Sequence, residues 1–535
     1  MKPKIHRFAL AAAVAVAGTT AGARAAVAQT SGIYTPSQPY GPAPYATPPT
    51  YQPPSYPPPA YTPPTYASPG PYTPSPAYRP PAYTGAGSPA VYGQGLSDAQ
   101  ALSEVLAAAK SGDGARMHLL MAGLQDPLAR KIALWALADS APDSMSYQEA
   151  DSARREFDGW PSPQRRILAE QNKLLVAEAD SEFEAGWTAL TRYKDSRAAD
   201  EHFARLQTIG KSPLTQSRAL YWRGRAADAM GDPVAAQLFY AQAARYQTTF
   251  YGQLAAAKGG AATIALGHDP EITAADRAAF EALEPIRAAR LLAQIGAKDT
   301  FKGFVGALSD TLPTAADEAM LVDLARGLGD QALAMRVVRN AARRDIILPE
   351  RGYPIRSAPI GYNAPEAAFV LGIVRQESSF DPAAHSGAGA RGMMQLMPST
   401  AQKVAQGLGM GYGDLDDPTY NMTLGSAFLG QLVSQFSGSY VMAAAAYNAG
   451  PGRPPQWAMT CGDPRSASTD PVDFIECIPF SETRDYVMRV MENTQIYRAR
   501  LNGGTAADTL AADLKRGGYS YASLGPADGV GGGGR

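Results

Sequence analysis

From Leu96 to about Ile347, apolar residues recur three and four positions apart, with Ala, Leu, Arg, Glu and Gln dominating. That period follows one face of an α-helix and not the two-residue alternation of a half-buried strand. A run of this length leaves the chain one broad option, helices packed on helices. The fold class expected is therefore all-α, beginning with an α-superhelical array over 96–350.

The clearest part of the run is Ala219 to Asp232 followed by Ala235 to Ala244, two helices around a Gly231-Asp232-Pro233 turn. Small residues at Gly224, Ala227 and Ala236 would let the two helices approach closely. The pair resembles a tetratricopeptide-like repeat, and only this copy is well formed. Such units bury their apolar faces by stacking on neighbours, which favours a solenoid; an irregular bundle is the alternative. Pro349, Gly352-Tyr353-Pro354 and Pro359-Ile360-Gly361 break the pattern and predict a second domain over 351–502.

The ends read differently. Lys2, Lys4 and Arg7 precede an apolar run from Phe8 to Ala17, and Ala26-Val27-Ala28 offers a cleavage site before Gln29. Residues 1–28 are thus expected to be a cleaved signal peptide, and the run is short for a membrane span. This predicts a periplasmic protein without a transmembrane helix. Residues 29–95 are rich in Pro and Tyr, as in Tyr51-Gln52-Pro53-Pro54, which predicts an extended, disordered spacer. The glycine-rich tail, 503–535, is expected to be disordered too.

Lys and Arg total 48 and Asp and Glu total 49, so no basic field points to nucleic acid. The two cysteines, Cys461 and Cys477, cannot build a zinc site alone, and no metal or cofactor is expected. After export they would meet an oxidising compartment, where a disulfide is expected; two free thiols are the alternative.

The second domain holds the chemistry. Asn363 with Glu366 forms a capping-box pattern, Pro365 suits a first turn, and Asp381-Pro382 predicts the helix end. Phe369, Val370, Ile373 and Val374 mark its apolar stripe. Four residues beyond Ile373 comes Glu377, a carboxylate continuing that stripe. A carboxyl group half withdrawn from water keeps its proton towards neutral pH and can serve as a general acid. A loop from Ser386 to Gly392 then leads into Met393-Met394-Gln395-Leu396-Met397. Gln395 offers an amide for sugar hydroxyl or acetamido groups, and Met397 a soft apolar contact. Met393 reads as core. Tyr447 and Asn448 fall at the end of a small-residue helix, where the tyrosine hydroxyl would orient the carboxylate or bond substrate. Glu482 falls in the first turn of the last helix, where negative charge is favoured.

Glu-Ser-Ser-Phe, Gly-Met-Met-Gln, Ala-Tyr-Asn-Ala-Gly-Pro-Gly-Arg and Ile-Pro-Phe-Ser-Glu-Thr-Arg, in this order, resemble the catalytic domain of soluble lytic transglycosylases. The resemblance covers about Tyr362 to Arg500. It implies a lysozyme-like, mostly helical domain acting on peptidoglycan glycan strands. Glu377 falls on the family's catalytic Glu. Ser386, Gln395, Met397, Tyr447 and Asn448 fall on its substrate cleft, and Glu482 on its conserved-motif Glu. Ser379-Phe380 stands where Ala-Trp is commoner, Met393 where Leu is usual, and the insertion from Pro454 to Ile478 is long. The implied reaction is non-hydrolytic cleavage of the MurNAc–GlcNAc bond, leaving 1,6-anhydro-MurNAc ends with Glu377 as both acid and base. Two other readings stay open: a muramidase using water with a second carboxylate (Asp381, Asp416, Asp417 or Glu482), and an envelope scaffold. Envelope proteins are a further class of partner, through the array or the Pro/Tyr segment.

Overall fold

The computed structural model describes residues 97–163, 165–260, 262–355 and 363–517; the expected signal peptide and Pro/Tyr segment lie outside them. The fold is all-α, as the periodicity requires. Helices α1 (Asp98–Ser111), α2 (Gly114–Met121), α3 (Pro127–Ser140) and α4 (Tyr147–Glu156) open the array. Ser97, Asp113, Asp126 and Ser146 precede them, and each side-chain oxygen accepts a first-turn N–H that would otherwise lack a partner. Next come α5 (Arg165–Thr188), α6 (Ser196–Ile209), α7 (Pro213–Met230), α8 (Pro233–Ala243) and α9 (Phe250–Lys258). Then follow β1 (Thr263–Ala265), α10 (Ala274–Ala282), α11 (Glu284–Gln294), α12 (Lys298–Leu308), α13 (Ala315–Gly327), α14 (Gln331–Arg343) and the short α15 (Pro349–Gly352).

The expected helix pair is α7 and α8, joined at Gly231 in the left-handed conformation, with Pro233 opening α8. Gly224 permits the close approach: a Cβ there would come within 2.5 Å of the Tyr240 ring. Tyr240 fills that space, fully buried, and its hydroxyl donates to Asp228 at 2.7 Å.

The C-terminal part comprises α16 (Ala367–Glu377), α17 (Pro398–Gly407), α18 (Pro418–Gln435), α19 (Tyr440–Ala449), α20 (Arg453–Cys461), α21 (Pro471–Cys477), α22 (Ser481–Leu501), β2 (Thr505–Ala507) and α23 (Leu510–Leu514). α16 and α22 form its axis, and Phe369 of α16 stacks flat on Tyr440 of α19, ring centroids 4.0 Å apart. Among the described residues, no helix is long and apolar enough to cross a membrane.

Two sequence expectations fail at the ends of this part. Glu366, not Asn363, is the N-cap of α16, and no side chain caps the helix. The Glu366 carboxylate is instead held by Arg498 (2.8 Å) and Tyr440 (3.1 Å), so a long-range pairing displaces the local capping box. The tail is ordered as far as 517. β2 pairs antiparallel with β1, with Ile264 opposite Ala506, and Leu510 and Leu514 bury one turn apart.

The cores do not follow the order of the chain. α5–α9 share one apolar core with α16, α19, α21, α22 and α23. α1–α4 form a second core with α10–α14 and Leu348. The middle of the array is thus fused to the C-terminal helices, while its two outer thirds pack on each other.

Candidate active site

α16 presents Glu377 at its last position. The helix stops there, four residues before the expected Asp381-Pro382 boundary, because Ser379 (φ 56°) and Phe380 (φ 68°) both turn left-handed. Two successive non-glycine residues in that region carry strain that the surroundings must offset. Phe380 is fully buried, which supplies part of the compensation.

Glu377 is half-buried. Burial is the leading cause that pushes its carboxyl up to about 7; a hydrogen bond from Tyr486 opposes this, and the nearby charge of Glu482 adds to it. Tyr486 lies on α22, and its hydroxyl donates to Glu377 Oε1 at 2.6 Å. The sequence offered Tyr447 either for orienting the carboxylate or for bonding substrate. In the fold, the Tyr447 hydroxyl donates to the Met394 carbonyl at 2.8 Å, and Tyr486 holds the carboxylate. Nothing local in the sequence sets Tyr486 apart. Its direction depends on how α22 crosses α16, and no local spacing encodes that.

The loop after α16 is fastened from three sides. Ser378 Oγ donates to the Met393 carbonyl (2.7 Å), Tyr447 holds Met394 O, and the Met394 N–H donates to Asn421 Oδ1 (2.8 Å). Asn421 Nδ2 donates in turn to the carbonyls of Arg391 and Leu415, both at 2.9 Å. The fully buried Asn421 was missed in the sequence, where it is an ordinary helical Asn. Gly392 is obligatory for this packing: at φ 75°, a Cβ would strike Leu415 O at 2.2 Å and Asn421 Nδ2 at 2.3 Å. Its close approach is to the protein's own loop and helix.

The other expected positions divide. Gln395 spends its amide nitrogen on Ala384 O (2.8 Å) and Gly392 O (3.0 Å), which leaves Oε1. Met397 is exposed (41%), whereas Met393 and Met394 are fully buried. Asn448 accepts a 2.6 Å hydrogen bond from Thr483 of α22, tying α19 to the start of α22. Glu482 is exposed in the first turn of α22 and lies close enough to act on the charge of Glu377. Ser386 is exposed and receives the Ala390 N–H at 2.9 Å within its own loop. Of the candidate second carboxylates, Asp381 caps a turn at Ala383, Asp416 pairs with His385 (2.9 Å) and Asp417 caps α18. Only Glu482 is electrostatically linked to Glu377. Cys461 and Cys477 are disulfide-bonded, joining the ends of α20 and α21.

Comparison with known proteins gives this arrangement a family. The family model described as Transglycosylase SLT domain matches residues 359–466, and that of the soluble lytic transglycosylase helical domain matches 477–505. Residues 359–466 are thus similar to the transglycosylase SLT domain. The helical-domain match falls on α22 and the residues next to it, not on the array. The SLT region is 39% identical over 135 residues to the soluble lytic murein transglycosylase of Escherichia coli K12, covering 24% of this chain and 20% of that protein. It is 32% identical over 146 residues to the membrane-bound lytic murein transglycosylase D of the same organism, covering 26% and 31%. The chain therefore spans about a fifth of the length of the first of these relatives and under a third of the second. Among solved structures, the 70 kDa soluble lytic transglycosylase of Escherichia coli aligns at 23% identity and TM-score 0.46, over 78% of this chain and 65% of that one.

Proposed function

We propose that the protein is an exported lytic transglycosylase that cleaves the β-1,4 bond between N-acetylmuramic acid and N-acetylglucosamine in peptidoglycan, leaving 1,6-anhydro ends. The observation that carries this reading is Glu377, a half-buried carboxyl pushed up to about 7 at the end of α16, inside a matched SLT domain. A group titrating there is protonated often enough to give a proton and basic enough to take one back.

The protonated Glu377 would donate to the glycosidic oxygen as the bond from C1 of the muramyl sugar breaks. The C6 hydroxyl oxygen of the same sugar would then attack C1, and its proton would return to Glu377. One bond to C1 is exchanged for another, and no water is consumed. Tyr486 would hold the carboxylate in place through both transfers, and the repulsion of Glu482 would favour the protonated start. Tyr447 and Asn448 would line the same corner, and Gln395 Oε1 and Met397 would be the loop groups left to meet sugar. Export through the N-terminal signal would bring the enzyme to the periplasm, where its substrate lies.

Hydrolysis is the second reading, and it is favoured by the charge of Glu482 near Glu377. Product mass separates the two: digestion of purified sacculi should release muropeptides lighter by one water than muramidase products. Reducing ends of full mass would reject the transglycosylase reading. Lysis undiminished in Glu377→Gln would reject Glu377 as the acid in both readings, and no lysis by either protein would favour a scaffold.

A further inference from the structure

The array reaches this corner through α21. Arg218 of α7 donates to both oxygens of Glu476, at 3.2 and 3.0 Å, and lies over the Phe183 ring at 3.3 Å. The Glu476 side chain has no solvent exposure and also accepts the Tyr251 hydroxyl from α9. Two turns along α7, Arg225 pairs with Asp473 (2.9 Å) and Asp470 (3.1 Å). Asp470, Asp473 and Glu476 recur every three residues, so the array grips one face of α21 along its length.

A buried ion pair is a poor adhesive, because apolar residues of similar volume often stabilise as well. What it fixes is geometry, and here the fixed point lies beside the active corner. The residue after Glu476 is Cys477, disulfide-bonded to Cys461. Arg484, in the first turn of α22, donates to the Glu476 carbonyl at 3.1 Å. The same two turns of α22 carry Glu482, Thr483 and Tyr486.

We infer that Arg218 is a positioning residue for the active corner: by clamping Glu476, with the Cys461–Cys477 bridge fixing the next residue, it sets where α22 begins and so where Tyr486 and Glu482 stand against Glu377. The inference rests on the reading of Glu377 as the general acid. The groups facing Glu377 are Tyr486 and Glu482 from α22 and Tyr447 from α19; Arg339 of α14 reaches the Ser379 hydroxyl just past the end of α16.

The test measures kcat, KM, their pH dependence and thermal midpoint on soluble glycan strands. Wild type and Glu377→Gln come first; if they are equally active or both inert, the reading of Glu377 fails on its own. With that established, Arg218→Ala is expected to lower kcat about tenfold while KM changes less than about twofold. Its basic limb should move away from the wild-type position, because the burial and Glu482 repulsion that raise the Glu377 carboxyl and the Tyr486 bond that lowers it all depend on where α22 begins. Arg218→Lys, which keeps the charge but loses the two-pronged grip, should recover part of both. The Cys461→Ser/Cys477→Ser double variant should shift the limb in the same direction. Wild-type kcat and pH profile in Arg218→Ala, whatever its thermal midpoint, would overturn the inference. Should that variant not fold, unshifted limbs in Arg218→Lys and the double serine variant would do so.

Discussion

Glu318 in the outer core and Glu377 in the shared core are both pushed up to about 7, and for both the leading cause is burial. Their surroundings differ. The Glu318 side chain has no solvent exposure and is enclosed by Ser309 (2.9 Å) and Arg344, neighbours in its own core. Glu377 is half-open, held from one side by Tyr486, which comes from a helix 109 residues further along the chain. A displaced titration point is therefore not by itself a mark of catalysis. Burial raises both carboxyls; on the proposed reading, what suits Glu377 to act as an acid is that it stays half-open with one oxygen fixed from afar.

The comparison breaks most visibly by substitution of the two carboxyls. Glu377→Gln should lower muropeptide release about a thousandfold. Glu318→Gln should leave activity per folded molecule unchanged. Comparable losses in both would erase the distinction between them. Next in size, Leu321→Ala, in a fully buried position of the outer core, should cost about 3 kcal/mol in urea unfolding and leave the pH–rate profile in place. A moved profile would mean that the outer core also shapes the site.

An effect of similar size concerns stability against pH. The folded pKa of Glu377 is raised from 4.5 to about 7. Its contribution to stability is complete below pH 4.5 and is lost as pH rises through 7. Glu377→Gln carries no such loss, so at pH 8 it should gain about 3 kcal/mol on wild type relative to their difference at pH 4. A pH-independent difference would mean that Glu377 titrates as a solvated carboxylate. The smallest shifts come from its neighbours and have opposite signs. Tyr486→Phe removes a bond that favours the carboxylate, so the basic limb of kcat should rise by up to about one pH unit. Glu482→Gln removes a repulsion, and the limb should fall by a few tenths of a unit, on the order expected for an exposed charge. Equal shifts in one direction would contradict this assignment of neighbours.

How much was legible follows from how local each signal is. The helical class, the α7–α8 pair and the place of Glu377 on an apolar stripe all depend on residues within a few turns of one another, and all stand in the fold. The start of α16 was misread because Glu366 answers to Arg498, 132 residues away. Its end was misread because the left-handed turn at Ser379 and Phe380 depends on tertiary packing, and proline was the only visible stop signal. Tyr447 and Tyr486 each lie on a recognisable helix, but which hydroxyl meets the carboxylate is decided by helix crossing. The ordered tail escaped notice because glycine content outweighed a short strand whose partner is residues 263–265. The division into two cores leaves no trace in composition at all.

That division bears on how such a protein can be taken apart. A fragment beginning near residue 363 would leave behind Phe250, Tyr251 and Leu254, which complete the wall of its apolar interior. It would also uncover the carboxylates of Glu476 and Glu492, now answered by Arg218, Tyr251 and the Phe250 N–H. The region similar to the SLT domain is not a portable part: transplanting it means carrying α5–α9 along.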